Sequence, residues 1–131
     1  MELRKIKFRA KAVNTEMWVY GDLVHNQKVT KEGLEPRTMV GGYEVYKDTI
    51  GQFTGLLDCN AKRIYEGDII EVTSLSDTSL GKRTNAIVIF RNSAFQLKHK
   101  AKEALLLTHW TEDVVKVIGN IYDNKELLKG E

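Results

Sequence analysis

Apolar and polar residues alternate with a period of two along much of the chain. In Lys5-Ile6-Lys7-Phe8-Arg9-Ala10-Lys11 the apolar side chains fall on one side and four cations on the other. Successive strand side chains point to opposite faces, so this pattern predicts a half-buried strand. Residues 17–24 predict a second strand, joined to the first as a hairpin through the turn formers Asn14-Thr15-Glu16. His25-Asn26-Gln27 reads as a further turn that returns through Lys28-Val29-Thr30. Residues 31–42 contain Gly33, Pro36, Gly41 and Gly42. They read as a loop with a short strand near Thr38-Met39-Val40, and 33–42 is the expected boundary between two β subregions of one domain spanning 1–131. Residues 43–46 read as extended.

The middle of the chain is patterned more strongly. Thr49-Ile50-Gly51-Gln52-Phe53-Thr54-Gly55 has strand formers broken by glycines, which mark a bulge or sharp bend. Asp58-Cys59-Asn60 is a turn. Arg63-Ile64-Tyr65 leads through Glu66-Gly67-Asp68 into the strand Ile69-Ile70-Glu71-Val72. Gly67 supplies the turn conformation, and the Asp68 carboxylate is placed to accept backbone N–H groups and close the turn. Ile70 and Val72 then share one face. Residues 73–84 are polar and read as an exposed loop. Residues 85–90 predict a fully buried strand, Arg91-Asn92-Ser93 a turn, and 94–100 another strand. Residues 101–107 are ambiguous, with helix formers at 102–106 but no cap. Residues 114–122 predict a strand, and Asn124 suits the N-cap of a short C-terminal helix ending before Gly130. The expected fold is mostly β, a short-strand barrel or sandwich with an N-terminal hairpin region. A small barrel element of the Src-homology type is expected around Gly67-Asp68.

Length and composition narrow the function classes. A chain of 131 residues with 42% hydrophobic and 29% charged content is the size of one folded domain and needs no metal or disulfide staple. Lys and Arg number 20 and Asp and Glu 18, leaving a formal charge of +2. So small an excess gives no strong global pull toward nucleic acid or membrane. Cys59 is the single cysteine, which excludes an intrachain disulfide and suits a reducing cytoplasm. No apolar run reaches the roughly 20 residues of a membrane span, and no apolar stretch follows the charged start. A cytoplasmic protein without membrane contact is expected.

Two segments resemble the signature of the YopX family of small phage and prophage proteins. The first is Thr49-Ile50-Gly51-Gln52-Phe53-Thr54-Gly55-Leu56, and the second is Ile64-Tyr65-Glu66-Gly67-Asp68-Ile69-Ile70. Ile6-Lys7-Phe8-Arg9-Ala10 looks like the family's opening strand. Val117-Ile118-Gly119-Asn120-Ile121-Tyr122 with Glu126-Leu127-Leu128 looks like its ending. Three departures stand out: Lys11 where the family commonly has Trp, Asn60-Ala61 where it usually has Asn-Gly, and Lys125 where it often has Pro. Alanine disfavours positive φ, so Asn60 is expected to take the left-handed position. The resemblance implies a mostly β fold and a phage origin, and it supplies no reaction.

Candidate chemistry is sparse. Glu66 and Asp68 are two apart on a turn, an unpromising geometry for acid–base work. Gly51-Gln52-Phe53-Thr54-Gly55 lacks the glycine spacing and lysine of a phosphate loop. His25, His99 and His109 are too dispersed for a local metal motif, and no cofactor motif is found. Asp22 lies three residues from His25 in what reads as a surface turn. His109-Trp110 with Glu112-Asp113 would center a small enzyme, the least favoured reading. Asp58 beside Cys59 would raise the thiol pKa rather than activate it. The strongest binding pattern is cationic. Lys5, Lys7, Arg9 and Lys11 share one strand face, with Arg4 adjacent, and Lys98, Lys100 and Lys102 form a second alternating set. Neighbouring strands would join them into a basic stripe, with Trp18, Tyr20, Tyr43 and Tyr46 as stacking surfaces for single-stranded nucleic acid. Edge-strand lysines also block unwanted pairing. The first expectation is a non-enzymatic protein that acts by protein contact, with homo-oligomer formation; the alternative is a nucleic-acid-binding module.

Overall fold

The period-two segments become strands wherever a partner strand meets their backbone groups. The computed structural model describes residues 5–73, 83–98, 105–106 and 114–128. These hold twelve strands in three antiparallel sheets, ordered β2-β1-β6-β7, β3-β4-β5 and β11-β10-β9-β8-β12. The chain divides into two compact units between Phe53 and Thr54, inside strand β6 (Gly51–Leu57).

In the first unit, β1 (Phe8–Lys11) pairs with β2 (Trp18–Gly21) as the expected hairpin and on its other side with Gly51 and Gln52 of β6. Ala10, Val40 and Val45 form the buried center, with Phe8, Val19, Leu23 and Ile50 packed around them. Residues read as turn and loop instead build a long hairpin. Strands β3 (Leu23–Thr30) and β4 (Gly33–Val40) pair over all eight residues, and β5 (Tyr43–Glu44) joins at the base of β4.

Two features reconcile this hairpin with its polar sequence. Thr30 and Gly33 close a two-residue loop, so hydrogen-bonded and non-hydrogen-bonded pairs alternate from there. Pro36 lies opposite Gln27, in a pair whose N–H groups point away from each other, so it costs no bond to β3. The bond from Val45 N–H to the Thr38 carbonyl, two residues on, has the same phase. Cross-strand side-chain bonds from Arg37 Nε to Asn26 Oδ1 (2.8 Å) and from Lys28 Nζ to Glu44 Oε2 (3.0 Å) then hold the polar face. The expected turn at residues 25–27 and the loop over 33–37 are thereby corrected to strand, while the short strand expected near Thr38-Met39-Val40 is the base of β4.

The second unit follows the sequence more closely. It contains β7 (Arg63–Tyr65), β8 (Asp68–Thr73), β9 (Arg83–Arg91), β10 (Ala94–Lys98), β11 (Leu105–Leu106) and β12 (Val114–Asn120). Ile64, Ile70, Val72, Ala86, Val88, Leu97 and Val117 form its core, with Leu56, Phe95 and Val115 against them. Each fully buried Ile, Leu or Val contributes about 1.5–3 kcal/mol. Residues 85–90, expected to be buried on both sides, are one-sided. Ala86 and Val88 lie in the core, Ile87 and Ile89 on the opposite face are half-buried, and Phe90, at the end of the core face, is exposed and meets Phe95 edge-on at 5.0 Å.

All three sheets are open at both edges, so the mostly β expectation holds but no closed barrel forms among the described residues. The expected C-terminal helix is a 3-10 turn at Lys125–Leu128. Asn124 does not cap it with its side chain; Asn124 Oδ1 instead accepts the upstream Asn120 N–H at 3.1 Å. Among the described residues no helix is long and apolar enough to cross a membrane.

Candidate functional site

The signature residues act on the backbone. Gly67 sits at φ 93°, which a side chain rarely tolerates, and the turn it allows brings Asp68 Oδ2 to 2.7 Å from the Tyr65 N–H. Asp68 is buried, as expected for a carboxylate that closes a turn. Gly67 N–H donates to the Val88 carbonyl and its own carbonyl accepts from Ile121 N–H, tying the turn to β9 and to the end of β12. Thr54 Oγ1 donates to the Ile64 carbonyl at 2.8 Å, fixing the second half of β6 beside β7. Phe53 is buried, and its N–H donates to the Lys7 carbonyl at 2.7 Å. Gly51 and Gln52 pair with β1, and Glu66 is half-buried in the turn. Gly119 lies at a register shift in β12, where a Cβ would meet Asn124 Oδ1 at 2.6 Å. Asn120 Oδ1 accepts the N–H groups of Tyr122 and Asp123. The motif is a set of turn and close-approach devices.

Asp58 is a buried polar anchor that its sequence context shows only as a turn residue. Its Oδ1 accepts the N–H groups of Asn60 and Lys62, both at 2.8 Å, and its Oδ2 accepts Val117 N–H of β12 at 2.9 Å. Burial pushes this carboxyl up, but the three backbone bonds and the Lys62 charge outweigh burial and hold it below its ordinary 3.8. An aspartate placed to accept the backbone N–H two residues on is visible in sequence. Its bond to Val117, 59 positions away, is not. The same turn corrects the expected left-handed Asn60. Ala61 takes that position at φ 61°, because the Asp58 carboxylate fixes the N–H groups on both sides of it. Cys59, in the same turn, is exposed.

The cationic face of β1 is not a uniform solvent face. Arg9 is 7% exposed, and its guanidinium carbon lies 4.8 Å from the Trp18 ring center, with Lys11 Nζ at 5.5 Å. The register explains this: Lys11 lies opposite Trp18, and Arg9 opposite Tyr20. Such cation–aromatic contacts contribute about 0.5–2 kcal/mol each. Lys5 is exposed, and Lys7 and Lys11 are half-buried. Lys98 is exposed on β10, whose neighbours are β9 and β11, whereas β1 neighbours β2 and β6. The two cationic strands therefore do not pair into the expected stripe. Arg4, Lys100, Lys102, His99, His109, Trp110, Glu112 and Asp113 lie outside the described residues. Among the described residues no group of three His, Cys, Asp or Glu side chains converges on a metal position. His25 is on β3, with Nδ1 3.3 Å from Thr38 Oγ1.

The β3–β4 hairpin is largely exposed along most of its length. Its base is anchored by Leu23, Thr38 and Val40, the last two buried. Toward its tip both faces open to solvent. One face there carries Val29, 84% exposed, and its cross-strand partner Leu34, 64% exposed, beside exposed Pro36. This arm is the candidate contact site, and sequence reading missed it because its residues looked like turn and loop. Residues 23–30 do not alternate between polar and apolar, with four polar residues in a row at 25–28, so the pattern gave no strand signal there.

Comparison with known proteins agrees with this architecture. The solved structure of protein EF1440 from Enterococcus faecalis superposes with a TM-score of 0.59, at 21% identity, over 95% of this chain and 99% of that one. At that identity the likeness speaks for the fold alone. No curated protein matches the chain. The family model for YopX protein matches residues 7–129, nearly the whole length, and so includes every signature turn described above. The chain belongs to the YopX family.

Proposed function

We propose that this chain is a non-enzymatic protein that works by protein contact, and that the β3–β4 arm is its contact surface. The observation that carries the reading is the exposed apolar pair Val29 and Leu34 on an arm whose strands are paired over their full length. A two-stranded ribbon with exposed apolar side chains gains stability when another surface covers it. The signature residues serve a different purpose, since they hold turns in the scaffold. In this reading the protein is phage-encoded and acts in the cytoplasm of a bacterial host, as the family resemblance implies.

The test compares tagged wild-type protein with a Val29→Glu/Leu34→Glu variant, both for self-association and for proteins retained from a bacterial extract. The reading expects at least one species, this chain or another protein, to be held by the wild type and lost by the variant at unchanged melting temperature. Retention that ignores both substitutions contradicts it.

A second reading, binding of single-stranded nucleic acid, is favoured by one observation. Lys11 and Trp18 share a sheet face with exposed Tyr20. Arg9 is already committed to Trp18, which removes one phosphate contact from that face. Fluorescence anisotropy against salt separates the two readings: steep loss of binding with salt counts phosphate contacts, and no binding at low salt removes this one.

A further inference from the structure

We propose that β3 is the pairing edge for a second copy of this chain, joined antiparallel about a two-fold axis at Asn26. The proposal rests on the protein-contact reading and names its partner. Among the described residues β3 is an edge strand of its sheet. Counting from the Thr30–Gly33 closure, His25, Gln27 and Val29 sit in pairs whose backbone N–H and C=O groups point away from β4. Such a row is a template for strand addition. The outer edge of β4 is protected by Pro36, which has no N–H to offer, and near its base by β5. β3 has no such protection: it contains no proline and no residue of φ between +20° and +160°.

The side chains select a second copy. On one face β3 reads Leu23, His25, Gln27, Val29, apolar at both ends and polar between, a pattern that matches itself when reversed. With Asn26 opposite Asn26 of the second copy, Leu23 meets Val29, His25 meets Gln27, and Val24 meets Lys28. The highly exposed Val29 of each tip then covers the half-buried Leu23 at the base of the other arm. Lys28 stays bonded to Glu44 of its own chain and faces an exposed valine. Centering the pair on Lys28 would oppose two ammonium groups directly, which is destabilising. The Glu44 carboxylate bonded to each Lys28 offsets part of that repulsion, and the Asn26 register avoids it altogether.

Two variants test the pairing. Gln27→Pro removes only an outward N–H, just as Pro36 does opposite it, so the hairpin keeps its own bonds while the edge is blocked. Asn26→Cys, in a Cys59→Ser background, places two thiols on the axis in a non-hydrogen-bonded pair, where Cα atoms approach to about 4.5 Å and a disulfide fits. The expected results are a wild-type dimer in sedimentation at tens of micromolar, a monomeric Gln27→Pro protein, and cross-linking of Asn26→Cys several-fold above Gln27→Cys. Cross-linking of Gln27→Cys at or above the Asn26→Cys level overturns the register. A wild-type dimer that survives Gln27→Pro and fails to cross-link at Asn26 overturns the edge pairing while self-contact stands. A wild-type monomer overturns the second-copy partner, and the contact reading is then decided by the extract comparison with Val29→Glu/Leu34→Glu.

Discussion

The β3–β4 and β8–β9 pairs are both antiparallel, both extend from consecutive strands, and have opposite surroundings. In β8, Asp68, Ile69, Ile70 and Val72 are buried, and Ala86 and Val88 of β9 complete the same core. In β3 no residue is buried, and in β4 only Thr38 and Val40 at the base are. Pairing is equally regular in both. The contrast shows that backbone pairing alone sets the shape of the arm, while side-chain burial sets the stability of the second unit. The signature motif lies with the buried pair and its turns. An element kept extended without burial is available for contact.

The largest expected effect is at the center of the buried pair. Ile70→Ala removes a side chain at 0% exposure and should cost about 3–5 kcal/mol by chemical denaturation. Val29→Ala on the arm should stay within about 0.5 kcal/mol. Comparable losses at the two positions would break the distinction.

Asp58→Ala comes next, at about 2–3 kcal/mol, because Val117 N–H is left buried without its acceptor. The carboxyl is held below its ordinary 3.8 in the folded chain, so its contribution is full above that pH. It is lost as pH falls through the folded value, since the unfolded chain takes up the proton first. Urea unfolding from neutral pH down through the carboxylate range should therefore show an acid limb that Asp58→Asn reduces. An unchanged limb would assign it to other carboxylates.

Gly119→Ala should cost about 1–3 kcal/mol. The new Cβ would come within 2.9 Å of Asn124 Cβ as well as its amide, so Asn124 must leave the Asn120 N–H. Thermal melting of Gly119→Ala alone and with Asn124→Ala checks this, and the second substitution should recover part of the loss. The smallest effect is a gain. Ala61→Gly relieves a left-handed alanine at φ 61° and should stabilise by about 0.5–1 kcal/mol, net of glycine entropy.

The second unit was largely legible in the sequence because its strands carry contiguous apolar residues and its turns carry Gly67-Asp68 and Asn92-Ser93. Local chemistry and burial agree there. The arm was not legible, since His25-Asn26-Gln27 and Pro36 are turn formers locally and become strand only through pairing with each other's segment. Alternation on β1 also misled. It places Arg9 among the cations, but the register with β2 puts Trp18 over it and takes it out of solvent. Asp58 was readable as a turn residue, whereas its anchor in β12 depends on a strand that arrives 59 positions later.

The most direct test of the arm as the contact surface is amide hydrogen exchange of the wild-type protein at low and high concentration. The account predicts that His25, Gln27 and Val29 gain protection as concentration rises, while the amides of β8 and β9 exchange slowly and equally at both. Protection that rises elsewhere with concentration while these three amides stay unchanged would contradict it.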